Sequence, residues 1–259
     1  MFRLLNLLLS MYSRWLNSAG PKKRLFVMST FGRRIMPEYR FKWPELDWWN
    51  KASFNRVLNA FDEMDGYNHD RRWMIDQLMR LVDTISGDTA ECGAYRGLGS
   101  YIICCRNSQS ATPGRLHHVF DSFSGLSQPD DSKDGSYWQA GDLSVDEQSF
   151  RDNLKDFESS IRVYKGWIPA RFSEVADRTF SFVHIDVDLY EPTRDSIAFF
   201  YERMSPGGII LCDDYGFSTC PGATLAVDAF LEDKPEKMIA LASGSGFLIR
   251  GLRTAAAGR

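Results

Sequence analysis

Short apolar runs alternate with amphipathic stretches from residue 88 to the end of the chain. The apolar runs predict buried strands at residues 88–92, 116–120, 160–164, 180–185 and 208–212. The stretches between or after them predict helices near residues 98–107, 144–155, 191–204 and 222–233. This alternation favours a doubly wound α/β fold, in which mostly parallel strands carry ligands at their carboxyl ends.

Two further apolar segments follow, at residues 237–242 and 245–250. A Ser-Gly pair separates them and favours a tight turn, so we predict an antiparallel hairpin at one edge of the sheet. Before the sheet, the pattern predicts helices near residues 50–64 and 69–84.

Three parts of the chain differ in pattern. We expect a basic, helical extension over residues 1–68, the main domain over 69–252 and a flexible tail over 253–259. Within the extension, residues 20–50 contain several prolines and a Trp-Trp pair, which predict an irregular arm that covers the domain.

The first residues combine helical periodicity with positive charge. Polar side chains recur three or four positions apart in residues 2–17 and predict an amphipathic helix. This helix packs on its own domain or on a second subunit in one interpretation, and lies on a membrane surface in the other. Residues 1–42 contain nine Lys or Arg and one acid, which gives this segment a net charge of +8. Because the whole chain has a net charge of −3, the remaining residues carry −11.

Composition narrows the class of protein. The 259 residues are 44% hydrophobic, 14% aromatic and 25% charged, which excludes a mainly disordered chain. The five cysteines form no Cys-x-x-Cys pair, so a zinc ribbon is disfavoured and a reducing, cytoplasmic compartment is expected. We expect a homodimer with no nucleic-acid partner, and leave membrane association of the N-terminal helix open.

The first candidate site is a glycine-rich turn after the strand at 88–92. Gly93, Gly97 and Gly99 stand where this strand passes into a helix, and such a turn lets a ligand approach the backbone and the free N–H groups of the helix. The spacing differs from the dinucleotide fingerprint, and a P-loop lysine is absent. Asp121 ends the next strand, where an acid can bind both hydroxyls of a ribose or cap a turn.

Acidic residues end two later strands. Asp186 and Asp188 follow the strand at 180–185, and Asp213 and Asp214 follow the strand at 208–212. Carboxylates brought together at one edge of a sheet repel each other unless a cation lies among them. Oxygen ligands of this kind suit Mg²⁺ or Mn²⁺.

Five motifs in order resemble the macrocin O-methyltransferase (TylF/MycF-type) family: Gly87-Asp-Thr-Ala-Glu-Cys-Gly-Ala-Tyr-Arg-Gly97, Val119-Phe-Asp-Ser-Phe-Ser-Gly-Leu126, Lys165-Gly-Trp167, Asp186-Val-Asp-Leu-Tyr-Glu191 and Asp213-Asp-Tyr-Gly216. The resemblance implies a class I methyltransferase fold, S-adenosylmethionine as cofactor, a divalent metal and a sugar hydroxyl as acceptor. The arm over residues 1–68 matches no part of it.

Carried over by position, the resemblance implies a set of site residues. Cofactor contacts fall on Glu91, Gly93, Ala94, Tyr95, Gly97, Ser100, Asp121, Ser122, Gly166, Trp167 and Asp186. The metal falls on Asp186, Asp213 and Asp214, and the catalytic residues are Asp186 and Asp188. Asp188 or a metal-bound neighbour serves as the base that takes the proton.

Several alternatives stay open at this point. The acceptor is a small molecule or glycan that offers a sugar hydroxyl, or a phenol or catechol, or the chain is a non-catalytic cofactor-binding module. Residues 126–143 form a lid in one interpretation and a surface loop in the other. His184 is expected to be a core histidine, because strand alternation puts it deeper than Asp186.

Overall fold

The computed structural model describes residue 13 and residues 20–37, 46–64 and 68–254. The chain divides into two compact units, residues 1–51 and residues 52–259. The division falls before the expected boundary at 68, because Leu58 and Phe61 are buried with residues of the second unit. The helix predicted over residues 2–17 lies outside the described residues except for residue 13, which is helical.

The described part of the first unit contains a long helix, α1 (Pro21–Ile35). The prediction of an irregular arm over this stretch was wrong. Gly20 is the N-cap and Pro21 occupies the first turn, where its fixed φ and missing N–H favour a helix start. Arg33 and Arg34 lie in the last turn, where positive charge complements the helix dipole.

The second unit is built on a seven-stranded sheet in the order β3-β2-β1-β4-β5-β7-β6. The strands are β1 (Asp88–Cys92), β2 (His117–Asp121), β3 (Ile161–Lys165), β4 (Phe180–Ile185), β5 (Met204–Cys212), β6 (Ile239–Ala240) and β7 (Gly246–Ile249). The first five are parallel, and β7 runs antiparallel to β5 and to β6. The sheet and its terminal hairpin are therefore as predicted, and β5 begins four residues earlier than the apolar run.

Helices cover both faces of this sheet. They are α2 (Ala52–Ala60), α3 (Asn68–Met79), α4 (Leu98–Gln109), α5 (Glu147–Asn153), α6 (Tyr190–Tyr201) and α7 (Pro221–Phe230). The helix predicted over 69–84 ends at Met79 and continues as a 3₁₀ turn, Arg80–Val82. Within the described ranges, none of the helices combines the length and the apolar character that a membrane crossing requires.

Alternate residues of each central strand pack into different cores. Val183 and Ile185 of β4 pack with α6 and α7, whereas Phe182 packs with α2, α3 and α4. Each strand is thus buried on both faces, as the continuous apolar runs indicate. This is the doubly wound arrangement expected of the class I methyltransferase fold.

The register of the central strands fixes where the site forms. Cys92 of β1 pairs with Ile185 of β4, and Ile185 pairs with Cys212 of β5. The three strands therefore end level with each other. The residues that follow them, Gly93, Asp186 and Asp213, meet at one edge of the sheet.

Candidate active site

The turn after β1 requires glycine at its first position. Gly93 has a φ of +76°, and a Cβ there would lie 1.9 Å from the carbonyl oxygen of Asp186. Cys92 accepts a hydrogen bond from the Asp186 N–H at 2.9 Å, which joins the ends of β1 and β4. Gly97, at a φ of +93°, begins α4. The turn thus brings the predicted cofactor segment against the first residue of the acid cluster.

Asp121, at the end of β2, faces this turn. Its Oδ2 accepts the N–H groups of Ala94 at 2.7 Å and Tyr95 at 3.3 Å, and its Oδ1 accepts the Phe123 N–H at 2.7 Å. Burial raises the pKa of the Asp121 carboxyl, although these hydrogen bonds oppose the shift. A carboxylate has about four lone-pair sites, so both oxygens keep room for a further donor such as a ribose hydroxyl.

Glu91 and Ser100, two predicted cofactor contacts, belong to a buried polar network. Glu91 hydrogen-bonds Ser100 through one oxygen and His184 Nδ1 through the other, at 2.8 Å for the histidine. Ser100 continues the network to His117 Nε2 at 3.0 Å. Neither Glu91 nor Ser100 is among the described residues that line the cavity at this edge. Glu91 faces α4 because its neighbours in β1, Ala90 and Cys92, face the opposite core.

His184 is buried, as predicted, and lies between two carboxylates. Its Nε2 lies 3.6 Å from Asp213 Oδ1, opposite the Glu91 contact. Burial opposes the charged form, but the nearby carboxylates of Asp213 and Glu91 raise the pKa of His184 to about 10. The imidazolium thereby links the strand that carries the glycine turn to the acid cluster.

The carboxylates of Asp186, Asp213 and Asp214 come together, as the strand ends predict. Arginines that the sequence analysis missed neutralise part of their charge. Arg71 Nη2 contacts Asp186 Oδ1 at 3.2 Å, Asp214 Oδ1 at 3.4 Å and Asp213 Oδ2. The oxygen atoms of the three acids therefore converge on one point that a cationic nitrogen occupies.

Arg72 supports the same acids from deeper in the protein. Its Nη1 donates to Asp186 Oδ2 at 3.2 Å and to Asp213 Oδ2 at 3.1 Å, while its Nε donates to Glu63 at 3.1 Å. Arg72 lies on the buried face of α3 with Ile75 and Met79. The spacing i, i+3, i+7 puts an arginine on an apolar helix face, and this was the signal in the sequence that could have revealed it.

The acids of the cluster differ in pKa. Burial favours the neutral form of Asp213, but Arg71 and His184 outweigh it and hold its pKa well below the usual range. Burial, followed by repulsion from Asp188 and Asp186, raises the pKa of Asp214 well above it. The cluster therefore carries strongly unequal charge, with Asp213 ionised.

Asp188 combines a strained backbone conformation with a shifted pKa, and both features are typical of functional sites. Its φ is +58°, which is uncommon for a residue with a side chain. Its N–H donates to Asp214 Oδ2 at 2.8 Å, and the Cys220 thiol lies 3.5 Å from its Oδ1. Burial and then Asp186 raise the pKa of Asp188 to about 7, a value suited to accepting a proton near neutral pH.

A cavity of about 480 Å³ connects the two predicted halves of the site. On one side it is lined by the glycine turn and the ends of β2 and β3, at Gly93, Tyr95, Asp121, Ser122, Gly166 and Trp167. On the other it is lined by Arg71, Arg72, Asp186 and Asp188. Its size suits a small molecule of cofactor size plus part of an acceptor.

An ordered loop forms one wall of this cavity. Residues 126–143 are closed at their base by two hydrogen bonds, from the Leu126 N–H to Asp142 and from the Gly141 N–H to Leu126. The buried carboxylate of Asp134 accepts the Tyr190 N–H at 2.7 Å and ties the loop to the start of α6. Leu126, Ser127, Trp138 and Leu143 face the cavity.

A comparison with protein families identifies the chain. Residues 70–239, more than half of it, match the model described as macrocin-O-methyltransferase (TylF). The chain belongs to the TylF family. The matched part contains the glycine turn, Asp121 and every acid of the cluster, so the TylF resemblance of the motifs is confirmed.

Curated relatives of this TylF-family chain are named O-methyltransferases. The 8-demethyl-8-(2,3-dimethoxy-alpha-L-rhamnosyl)-tetracenomycin-C 4'-O-methyltransferase of Streptomyces olivaceus is 28% identical over 152 residues, 55% of this chain and 58% of that protein. The demethyldecarbamoylnovobiocin O-methyltransferase of Streptomyces niveus is 29% identical over 164 residues, 58% of this chain and 60% of that protein. The chain thus spans about three fifths of the length of these relatives.

Solved structures agree with the TylF-family fold. The O-methyltransferase NovP matches with a TM-score of 0.56 and 25% identity, over 76% of this chain and 88% of NovP. The calicheamicin methyltransferase CalS11 matches with a TM-score of 0.64 and 18% identity, over 83% of this chain and 96% of CalS11. At that identity the likeness to CalS11 establishes the fold alone.

Proposed function

We propose that this chain transfers a methyl group from S-adenosylmethionine to a hydroxyl of a sugar, with a divalent cation, Mg²⁺ or Mn²⁺, at the acid cluster. One observation carries the proposal. The same cavity reaches both the Gly93–Asp121 region and the carboxylates of Asp186 and Asp188, so a methyl donor and an acceptor can meet in it.

The cofactor side has the features that an adenosine requires. Asp121 keeps free acceptor capacity for ribose hydroxyls. Trp167 lines the same side and is 47% exposed, so it is accessible to stack on a base. Gly93 and Gly166 also line this side, where each presents backbone and no side chain to the cavity.

The cation side offers oxygen ligands aimed at one point. Asp186, Asp213 and Asp214 each place an oxygen within 3.4 Å of Arg71 Nη2, and Asp186 and Asp213 lie close enough to share one ion. Carboxylate oxygens are the ligands that a hard divalent ion prefers. Bound there, such an ion would lower the pKa of an acceptor hydroxyl and fix its direction.

Asp188 is the residue we assign as the base. It lines the cavity beside Asp186, and its carboxylate is held by the strained backbone and by the thiol of Cys220. From this position it takes the proton that an aliphatic hydroxyl loses as the methyl group arrives.

The loop over residues 126–143 excludes water from the reacting pair. Trp138 anchors it by donating from Nε1 to the sulfur of Cys220 at 3.3 Å, next to Asp188. Methyl transfer from a sulfonium to an oxygen neutralises charge, so alignment in a water-poor site contributes much of the rate. We assign the loop this covering role.

The names of the relatives support the acceptor class. One is named for a rhamnosyl 4'-O-methylation, which supports the sugar of a glycoside, glycolipid or polysaccharide as the acceptor. The test is a panel of acceptors incubated with S-adenosylmethionine labelled in its methyl group and Mg²⁺, followed by chromatography and mass spectrometry. The panel contains sugar glycosides, nucleotide sugars and catechols.

The expected result is label on a sugar hydroxyl and none on the catechols. Label on a phenol alone would move the acceptor to the phenolic class. Cofactor binding with no transfer to any member of the panel would favour a non-catalytic module.

A further inference from the structure

Arg71 occupies the point at which the proposed cation would bind. Its Nη2 atom lies within 3.4 Å of one carboxylate oxygen from each of Asp186, Asp213 and Asp214. A divalent ion bound to the same three oxygens needs this volume, because its oxygen ligands lie at only about 2.0–2.6 Å. The guanidinium and the ion therefore cannot hold the cluster at the same time.

The two arginines of the cluster differ in how firmly they are held. Arg72 is buried and tied to Glu63 outside the cluster. Arg71 borders the cavity, and its Nε, although buried, finds no hydrogen-bond partner among the described residues. The ring of Phe217 lies 5.1 Å from the Cζ of Arg71. Arg72 is thus the fixed cation and Arg71 the one that can leave.

The exchange of Arg71 for an ion keeps a positive charge beside the same carboxylates. Arg71 Nη2 contacts Asp186, Asp213 and Asp214, and Arg72 contacts Asp186 and Asp213 from deeper in the protein. Removal of Arg71 without replacement deprives these buried carboxylates of a cation, which is costly. A divalent ion at the same position supplies the charge in its place.

We propose that Arg71 is a resident counter-ion that keeps the acid cluster assembled in the metal-free protein and is displaced when the divalent cation binds. Arg71 then sets the affinity for the cation, since every binding event must break its three carboxylate contacts. The inference rests on the cation of the proposed function, and it assigns a role to a residue on α3, outside the strand-end motifs.

The test is titration of the full chain with Mn²⁺, followed by isothermal calorimetry and by electron paramagnetic resonance of the free ion. The variant Arg71→Met removes the charge and keeps most of the stem. It is expected to bind Mn²⁺ at least about tenfold more tightly than the wild type, because a competing unit charge is lost at contact distance. Arg80→Met, an exposed arginine just beyond α3, is the matched control and keeps the wild-type affinity.

Thermal unfolding supplies an independent measurement. Metal-free Arg71→Met is expected to unfold at a lower temperature than the wild type, and saturating Mn²⁺ should raise its Tm by more than it raises that of the wild type. Arg71→Lys serves if the methionine variant does not fold. Its ammonium cannot span three carboxylates, so its Mn²⁺ affinity should lie between those of wild type and the methionine variant.

Two results would overturn the inference in distinguishable ways. If the wild type binds Mn²⁺ and the folded Arg71 variants bind it equally or more weakly, Arg71 is not a competitor, and the proposed cation site stands. If none of these proteins binds Mn²⁺, the cation of the proposed function fails and the exchange fails with it.

Discussion

His184 Nδ1 lies 2.8 Å from Glu91 Oε1, and this buried ion pair joins β4 to the strand that carries the glycine turn. On its other side the imidazolium faces Asp213 at 3.6 Å. The residue therefore connects the cofactor half of the site to the acid half from beneath, without bordering the cavity itself. Its loss would leave two buried carboxylates without their shared positive charge.

We expect His184→Gln to lower the free energy of unfolding by about 3–5 kcal/mol, because removal of one partner of a buried ion pair leaves the other charge uncompensated. Urea denaturation measures it. His118→Gln is the matched control, because His118 is also buried but its acid, Asp88, keeps Arg178 at 3.6 Å. A loss in the His184 variant no larger than in the control would contradict the network.

The ribose assignment predicts a specific loss of cofactor affinity. Asp121→Asn keeps the shape of the side chain but removes its charge, so S-adenosylmethionine should bind more weakly by about 1.5–3 kcal/mol. Calorimetry with the cofactor and with its demethylated product measures this. Ser122→Ala should change the affinity less, because Ser122 Oγ already donates to Gly125 within its own loop. Unchanged affinity in the asparagine variant would remove the ribose from Asp121.

Glu236 lies away from the site, and we expect its protonation at low pH to lower the stability of the protein. Burial opposes its ionisation, but hydrogen bonds from Tyr201, the Gly251 N–H and Arg250 outweigh burial and lower the pKa of Glu236 from 4.5 to about 2. Because the pKa is lower in the folded state, ionised Glu236 stabilises the protein at pH values above its ordinary pKa of 4.5. This stabilisation disappears as the pH falls toward 2.

The variant Glu236→Gln isolates this contribution. Its deficit in unfolding free energy relative to the wild type should shrink by on the order of 3 kcal/mol between about pH 5 and pH 2. Urea denaturation at several pH values gives the two curves. Parallel curves over that range would show that the contacts of Glu236 do not depend on its charge.

The basic extension is proposed to attach the chain to an anionic membrane surface or to a second copy. Helix α1 exposes Phe26, Phe31 and Ile35, and residues 1–42 carry a net charge of +8. A chain that lacks residues 1–42 should lose binding to anionic liposomes in flotation, or lose its dimer in sedimentation, and should still bind cofactor. Identical behaviour of the two chains in both assays would refute attachment.

The sheet and the acid cluster were predictable from the sequence for a physical reason. Buried parallel strands appear as continuous apolar runs, and residues after such strands gather at one edge of the sheet. The sequence alone therefore predicts that Asp186, Asp213 and Asp214 lie close together. Helix α1 was not predicted, because several prolines in one stretch favour irregular structure, although a proline in the first turn is compatible with a helix.

The contacts of Arg71 with the cluster could not be derived in the same way. Arg71 and Asp186 are 115 positions apart, and their contact depends on how α3 packs against the ends of β4 and β5. No local pattern encodes that packing. Glu91 shows a second limit of prediction from sequence. The motif resemblance identifies the residue, but it does not predict toward which face of β1 the side chain points.

The acid cluster predicts that each of its carboxylates is needed for turnover. Asp186→Asn, Asp213→Asn and Asp214→Asn should each lower the rate of methyl transfer by at least about 100-fold, the range for loss of a positioned electrostatic or acid-base group. Asp188→Asn should lose turnover to a similar extent while it keeps Mn²⁺ binding, because Asp188 is assigned as the base. Full activity in the Asp213 and Asp214 variants would contradict the assignment.

The central claim is that a divalent cation at Asp186, Asp213 and Asp214 takes part in methyl transfer. Its most direct test is the rate of transfer from labelled S-adenosylmethionine before chelation, after exhaustive chelation and after Mg²⁺ is restored, with cofactor binding measured in the same samples. The account predicts that chelation abolishes transfer, that Mg²⁺ restores it and that cofactor affinity stays nearly constant. Undiminished transfer in an excess of chelator would contradict it.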